Sequence, residues 1–260
     1  MKLSLLLTVL SLLTPVYAQS EAFPGRTTYP HVKVIETEQL KQQFDSVNIV
    51  DARSALEFDT LHINTAKNIP LHSRHFIDQI KTLQSDDKPI VFYCNGHTCY
   101  KSYKAARKAR EAGLSNILAY DAGVFEWAHR NPDKATLLGQ TPLDPEKLIS
   151  KKTFKQYLLD PKAFNNKITD KTLILDIREP IQRGLLELFP YRQESISMGE
   201  TGKLRKFLEA AKKSGRQLLV YDEVGKQVRW LQYYLQDMGI KNYYFLKGGV
   251  ENFFKSLRNS

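Results

Sequence analysis

The chain has 260 residues, 42% apolar and 25% charged, an ordinary globular balance that excludes a disordered tail. Lysine and arginine number 38 against 28 acidic residues, and the net charge of +10 is spread along the chain rather than gathered into one polyanion-binding run. With only two cysteines, Cys94 and Cys99, a small disulfide scaffold is excluded too.

The first segment reads as an export signal. Lys2 gives a positive start, Leu3 to Leu13 a leucine-rich apolar run, and Val16-Tyr17-Ala18 the small residues that a signal peptidase reads after the Thr14-Pro15 break. Residues 1–18 are therefore expected to be removed after Ala18, leaving a periplasmic or secreted protein. The apolar run is short for a bilayer, and no later segment is long and apolar enough to span one, so no stable membrane insertion is expected after cleavage. Export also argues against nucleic acid as a partner. Gln19 to Pro30 holds Pro24, Gly25 and Pro30 without periodicity, and residues 19–34 read as an extended lead-in.

Val47–Asp51, Lys88–Cys94 and Ile117–Tyr120 then read as short buried strands, with helical patterns such as Lys101–Ala112 between them. Strands alternating with helices indicate an α/β domain with a mostly parallel sheet flanked by helices. Asn131 to Pro145, with Pro132, Gly139, Pro142 and Pro145, reads as a boundary. It separates a domain at 35–135, through a linker at 136–147, from a second at 148–260. Three landmarks recur in order: Thr172–Asp176 matches Val47–Asp51, Gln217–Asp222 matches Pro89–Cys94, and Asn242–Val250 matches Asn116–Val124. Their spacing is that of a duplicated domain, not of a solenoid unit.

The most informative stretch runs from Val91 to Ser102. A strand of β-formers ends at Cys94, a Gly-bearing loop follows, and a helix begins near Lys101. The helix start leaves backbone N–H groups without intrahelical partners, and they can converge on whatever the Cys94 sulfur carries. The helix dipole and nearby cations favour thiolate over thiol. Cys94 thus reads as a nucleophile in an anion cradle. In an oxidising compartment Cys94 and Cys99 are also close enough to form a disulfide. Cys94, His97 and Cys99 form a C-x-x-H-x-C cluster, but three ligands in one tight loop with no second cluster do not make a metal site, and no metal or cofactor is expected. His97 is expected to face solvent or substrate.

Together these segments resemble the rhodanese (sulfurtransferase) family: Ile49-Val50-Asp51-Ala52-Arg53-Ser54 with Glu57-Phe58, His62-Ile63 through Asn68-Ile69-Pro70, Phe92 to Ser102, and Ala122 to Trp127. The second half carries a degraded set, Asp176-Ile177-Arg178-Glu179, Asp222 and Gly248-Gly249. The resemblance implies tandem rhodanese-like domains and a catalytic Cys94. Its thiolate would attack thiosulfate or another anionic sulfane-sulfur donor, form a persulfide, and pass the sulfur to a thiol or cyanide. The N–H groups of Asn95, Gly96, His97, Thr98, Cys99 and Tyr100 would bind the substrate. It also implies that Asp51 and Arg53 form a structural ion pair, and that His62 and Trp127 serve packing. Two features depart from the family pattern: Asn95 to Thr98 carry no permanent cation, and Cys99 is a second thiol. Cys99 is a candidate redox partner that could attack a Cys94 persulfide, or else a loop-lining or inert side chain. Thiol–disulfide exchange and a non-catalytic binding or sensor role therefore stand as alternatives. A phosphatase is disfavoured because no arginine closes the loop. Asp222 stands where the first repeat has Cys94; a carboxylate cannot carry sulfane sulfur, so the second domain is expected to be silent as a sulfurtransferase.

Overall fold

Short runs of β-branched and aromatic residues, most followed by an amphipathic stretch, build two parallel sheets with helices packed against them. The computed structural model describes residues 23–84, 88–184 and 187–258. The expected signal segment lies outside the described residues. The chain divides into two compact units between Leu143 and Asp144. Among the described residues no helix is long and apolar enough to cross a membrane.

In the first unit α1 (Pro24–Thr28) and α2 (Thr37–Gln42) precede β1 (Asn48–Asp51). Next come α3 (Ala55–Thr60), β2 (Leu61–Ile63), β3 (Lys67–Asn68) and α4 (Phe76–Leu83). The unit then runs through β4 (Ile90–Tyr93), α5 (Lys101–Glu111), β5 (Ile117–Tyr120), α6 (Gly123–Arg130) and β6 (Ala135–Leu137). The main sheet is parallel, in the order β3-β1-β4-β5. Its register sets Asp51 beside Tyr93 and Tyr93 beside Tyr120, so the carboxyl ends of three strands finish level. Both faces of β4 are buried, which is why it reads as an unbroken apolar run. Helix α5 packs on it through Tyr103, Ala105, Ala106 and Ala109; the small side chains let the helix lie close to the strands.

The second unit contains α7 (Lys151–Lys155), β7 (Leu158–Leu159), α8 (Pro161–Asn166), β8 (Thr172–Asp176), α9 (Pro180–Arg183) and β9 (Gln193–Ser195). Then follow α10 (Thr201–Ser214), β10 (Gln217–Tyr221), α11 (Val228–Asp237), β11 (Tyr243–Leu246) and α12 (Gly249–Arg258). Its parallel sheet has the order β7-β11-β10-β8-β9. In the first unit Val34 forms a parallel bridge to Ala119 on β5. With that bridge in the place of β7, the two sheets share one topology, as the sequence repeat implies.

Two sequence boundaries need correction. The lead-in is not extended throughout: Pro24, whose missing N–H costs nothing at the first helical position, starts the turn α1. Arg26 anchors it on the buried Asp121, and Gly25 lies against the Tyr103 ring so closely that a Cβ would not fit. Nor is 136–147 wholly linker. Ala135–Leu137 pairs antiparallel with Leu61–Ile63, burying Ala135 and Leu137, so the first unit continues through Leu143.

Gly123 begins α6 with φ +73°, and a Cβ there would collide with the backbone of Gly96. Gly113 has φ +84° but open space around it. Gly123→Ala should therefore lower stability by about 2–4 kcal/mol, against about 1 kcal/mol for Gly113→Ala, as read from urea unfolding midpoints.

Candidate active site

Strand β4 delivers Cys94 to the carboxyl edge of the sheet, fully buried. The Cys94 carbonyl accepts the Val124 N–H of α6 at 2.9 Å, which ties the start of the loop to the turn after β5. Gly96 crosses that turn with φ +146°, and a Cβ on it would lie 3.0 Å from the Ala122 carbonyl oxygen. Two glycines, Gly96 and Gly123, thus let two backbones meet at one point. Ser102, buried on the first turn of α5, holds its hydroxyl 3.7 Å from Cys94 Sγ.

Cys94 and Cys99 are joined as a disulfide across the loop, with their Cα atoms 6.4 Å apart. The Cys99 carbonyl oxygen lies 3.1 Å from Cys94 Sγ. Cys94 is fully covered, whereas Cys99 is only partly buried. Of the loop amides, the Cys99 N–H turns back to the Gly96 carbonyl. The N–H groups of Asn95, Gly96, His97, Thr98 and Tyr100 have no protein acceptor among the described residues. The structure therefore gathers the sequence-predicted residues Cys94 to Tyr100 into one turn at the N-terminus of α5.

A buried arginine sets the shape of this turn. Arg53 and Asp51 are both fully buried; Arg53 Nε lies 2.9 Å from Asp51 Oδ1, and its own backbone N–H bonds the same oxygen at 2.8 Å. The guanidinium also donates to the Leu61 carbonyl at 2.6 Å and to Asn95 Oδ1 at 3.1 Å. Burial opposes the Arg53 charge, but Asp51 outweighs it and keeps the guanidinium pKa above its ordinary value. The Asn95 amide in turn donates to Glu57 Oε1 at 3.0 Å. Glu57 is the N3 residue of a capping box with Ser54 at the start of α3, and Lys101 approaches its other oxygen at 3.5 Å. Burial alone would raise the Glu57 carboxyl. Lys101, Arg53 and the hydrogen bonds from Asn95 and Ser54 more than offset that and hold it below the usual carboxylate range.

His97 keeps 42% of its side chain exposed, and it is also tied on one side. His97 Nε2 lies 3.0 Å from Glu126 Oε2, and its ring stands 4.2 Å from that of Phe23. Glu126 is fixed further by Thr37 and Arg130. Burial would raise the Glu126 carboxyl, but hydrogen bonds from His97 and Thr37 pull it below the usual range. Two predicted structural roles are seen: His62 Nδ1 bonds the Phe58 carbonyl oxygen at 2.7 Å and stacks on Phe58, and Trp127 is fully buried. Sequence reasoning placed Glu57 only within a motif and missed the contacts of Glu126 and Phe23 with His97 and of Asp121 with Arg26 and Tyr103. A carboxylate three residues after Ser54 was the one local signal for Glu57; the others act across long stretches of chain.

The second unit repeats the frame with different chemistry. Arg178 and Asp176 form the matching buried pair, and the Asp222 carbonyl accepts the Val250 N–H at 3.0 Å. Here the carboxylate of Asp222 itself occupies the loop. It accepts N–H groups from Gly225 and Gln227 at 2.5 Å each and from Val228 at 3.3 Å. Burial pushes this carboxyl up, against the lowering effect of those bonds. The loop before α11 is thus an anion cradle already filled by its own side chain.

The sequence pattern of the Rhodanese-like domain family matches the chain twice, at residues 36–130 and 160–256. An uncharacterized protein of Bacillus subtilis, YqhL, is 29% identical over 96 residues, which cover 37% of this chain and 72% of YqhL. The HTH-type transcriptional regulator Rv0324 of Mycobacterium tuberculosis is 34% identical over 87 residues (34% of this chain, 37% of the regulator). The tRNA uridine(34) hydroxylase of Pelagibacter ubique is 30% identical over 111 residues (42% of this chain, 36% of the hydroxylase). The chain therefore spans little more than a third of the last two. Among solved structures, the thiosulfate sulfurtransferase of Pseudomonas aeruginosa aligns with 86% of this chain and 42% of its own at 18% identity and a TM-score of 0.39. The BH2092 protein of Bacillus halodurans aligns with 54% of this chain and 93% of its own at 22% identity and a TM-score of 0.38.

Because the folded Glu57 carboxyl titrates below its ordinary value, its contribution to stability is present above that value and is lost as pH falls through the folded one. Between pH 6 and pH 3 the protein should lose more stability than Glu57→Gln does, measured by urea unfolding of both at the two pH values.

Proposed function

Since the chain belongs to the rhodanese-like family, which its two matches at 36–130 and 160–256 establish, we propose that it is a sulfurtransferase working through a persulfide on Cys94. The observation that carries this reading is the comparison of its two loops. Where the second unit has Asp222, the loop amides hold a carboxylate. Where the first has Cys94, amides of the same turn are left to hold the charge of a thiolate, a donor anion or a persulfide.

The proposed chemistry begins with the reduced site. The Cys94 thiolate, favoured by the N-terminus of α5 and by the Ser102 hydroxyl, attacks the outer sulfur of thiosulfate or a similar sulfane donor. The S–S bond of the donor breaks, sulfite leaves with the bonding pair, and Cys94 keeps the sulfane sulfur as a persulfide. A thiol or cyanide then takes the outer sulfur and returns Cys94 to thiolate. Arg53 does not touch the donor in this scheme: its guanidinium is committed to Asp51, Leu61 and Asn95 and positions the loop. Lys101 is partly neutralised by Glu57, so the backbone supplies most of the anion recognition. That fits a small anionic donor and does not single out thiosulfate. In the same reading the chain is exported, which the charged start, apolar run and small-residue stop of residues 1–18 support. The Asp222 domain is silent as a sulfurtransferase because its cradle is filled and its side chain is not a sulfur nucleophile.

A second reading, thiol–disulfide exchange through Cys94 and Cys99, is favoured by their joining as a disulfide. One experiment separates the two. Reduced full-length protein should form thiocyanate from thiosulfate and cyanide, and its Cys99→Ser variant, incubated with thiosulfate alone, should gain the mass of one sulfur atom. Cys94→Ser should take up no sulfur and lose thiocyanate formation by at least about a thousandfold. No sulfur adduct on Cys99→Ser, or unchanged thiocyanate formation by Cys94→Ser, would overturn the persulfide assignment.

A further inference from the structure

We propose a further activity, resting on the Cys94 persulfide just described: Cys99 resolves that persulfide and releases sulfide, making the first unit a dithiol-dependent thiosulfate reductase as well as a sulfur carrier. The two sulfurs already occupy one loop, bonded to each other, with a Cα separation inside the range a disulfide requires. No chain rearrangement is needed to bring the second thiol to the first. Cys94 is fully buried, whereas Cys99 is only partly covered. An external acceptor must therefore reach past the loop, while Cys99 is held beside the target at high effective concentration.

The steps balance. The Cys94 thiolate takes the outer sulfur of thiosulfate, giving a persulfide anion and sulfite. The Cys99 thiol then attacks the inner sulfur, Cys94 Sγ. A bond forms between Cys99 Sγ and Cys94 Sγ, the bond from Cys94 Sγ to the outer sulfur breaks, and that sulfur leaves with the pair and the Cys99 proton as HS⁻. The sulfane sulfur is reduced, and the two cysteine sulfurs are oxidised to the disulfide. An external dithiol restores the site. Over the cycle, thiosulfate and the dithiol give sulfite, HS⁻, the oxidised dithiol and one proton.

The burial asymmetry also sets the direction of re-reduction. The reductant meets the more exposed Cys99 sulfur first, and Cys94 departs as a thiolate into its cradle beside Ser102, the better leaving group of the two. Cys94→Ser should accordingly form a mixed disulfide with glutathione at Cys99.

The deciding experiment is a single turnover of reduced full-length protein with thiosulfate, free of cyanide and added thiol, followed by sulfide assay and intact mass. The protein should release about one equivalent of sulfide and end two hydrogens lighter with no added sulfur; Cys99→Ser should release at least about tenfold less sulfide and retain the added sulfur. Stable retention of the sulfur by both proteins would overturn the resolving role of Cys99 and leave the Cys94 persulfide intact. Uptake of sulfur by neither, with no sulfide released, would overturn both.

Discussion

The buried fork of Arg53 is the contact on which the first unit's site depends. Its guanidinium joins the end of β1 through Asp51, the start of β2 through Leu61 and the first residue of the cysteine loop through Asn95. Removing one partner of such a pair strands a charge without water, a loss of about 3–5 kcal/mol, so the ends of β1 and α3 and the distant cysteine loop are held in one arrangement. Planarity matters as much as charge. A lysine could neutralise Asp51 but could not reach two oxygens of Asp51, a carbonyl and an amide in fixed directions.

Around that fork the loop is over-determined from several sides. Asn95 passes the constraint on to Glu57, which caps α3 and meets Lys101 at the start of α5. Gly96 and Gly123 let the loop backbone press against the turn before α6. Arg26 and Tyr103 close on Asp121 beyond β5, and Phe23 and Glu126 hold His97. A loop fixed in this way presents its amides without having to order them when an anion arrives, which is the preorganisation that charge-stabilising sites need.

The duplicated unit shows what that frame does when its chemistry is exchanged. Strand order, the buried Asp–Arg pair and the carbonyl-to-helix tie are all retained. The residue at the strand end changes from a cysteine to an aspartate, and its carboxylate folds back onto its own loop amides. The scaffold and the reactive group are therefore separable. The fold supplies a turn of converging amides, and one side chain decides whether they stay open or are filled from within.

Much of this was legible in the chain. The parallel α/β pattern follows from buried strands such as Ile90–Tyr93, apolar without alternation because both faces are covered. The repeat, the cysteine at a strand end and the substitution at Asp222 are likewise local facts of sequence. What local pattern could not give was the surroundings of the loop. Gln19–Pro30 lacks periodicity, so nothing in it announces that Arg26 reaches Asp121, 95 residues away, or that the Phe23 ring packs against His97. Ala135–Leu137 looks like linker until Leu61–Ile63 supplies its hydrogen bonds. The sequence by itself determined the main strands, their order and the place of the two cysteines in one loop, because these rest on hydrophobic period and residue chemistry within a few positions. Only the tertiary structure decided that Arg53 holds the loop through Asn95, that His97 is tied to Glu126, and that Cys99 closes over Cys94. Those contacts depend on how separate segments converge at the carboxyl edge of the sheet, and that geometry is set by packing rather than by spacing along the chain.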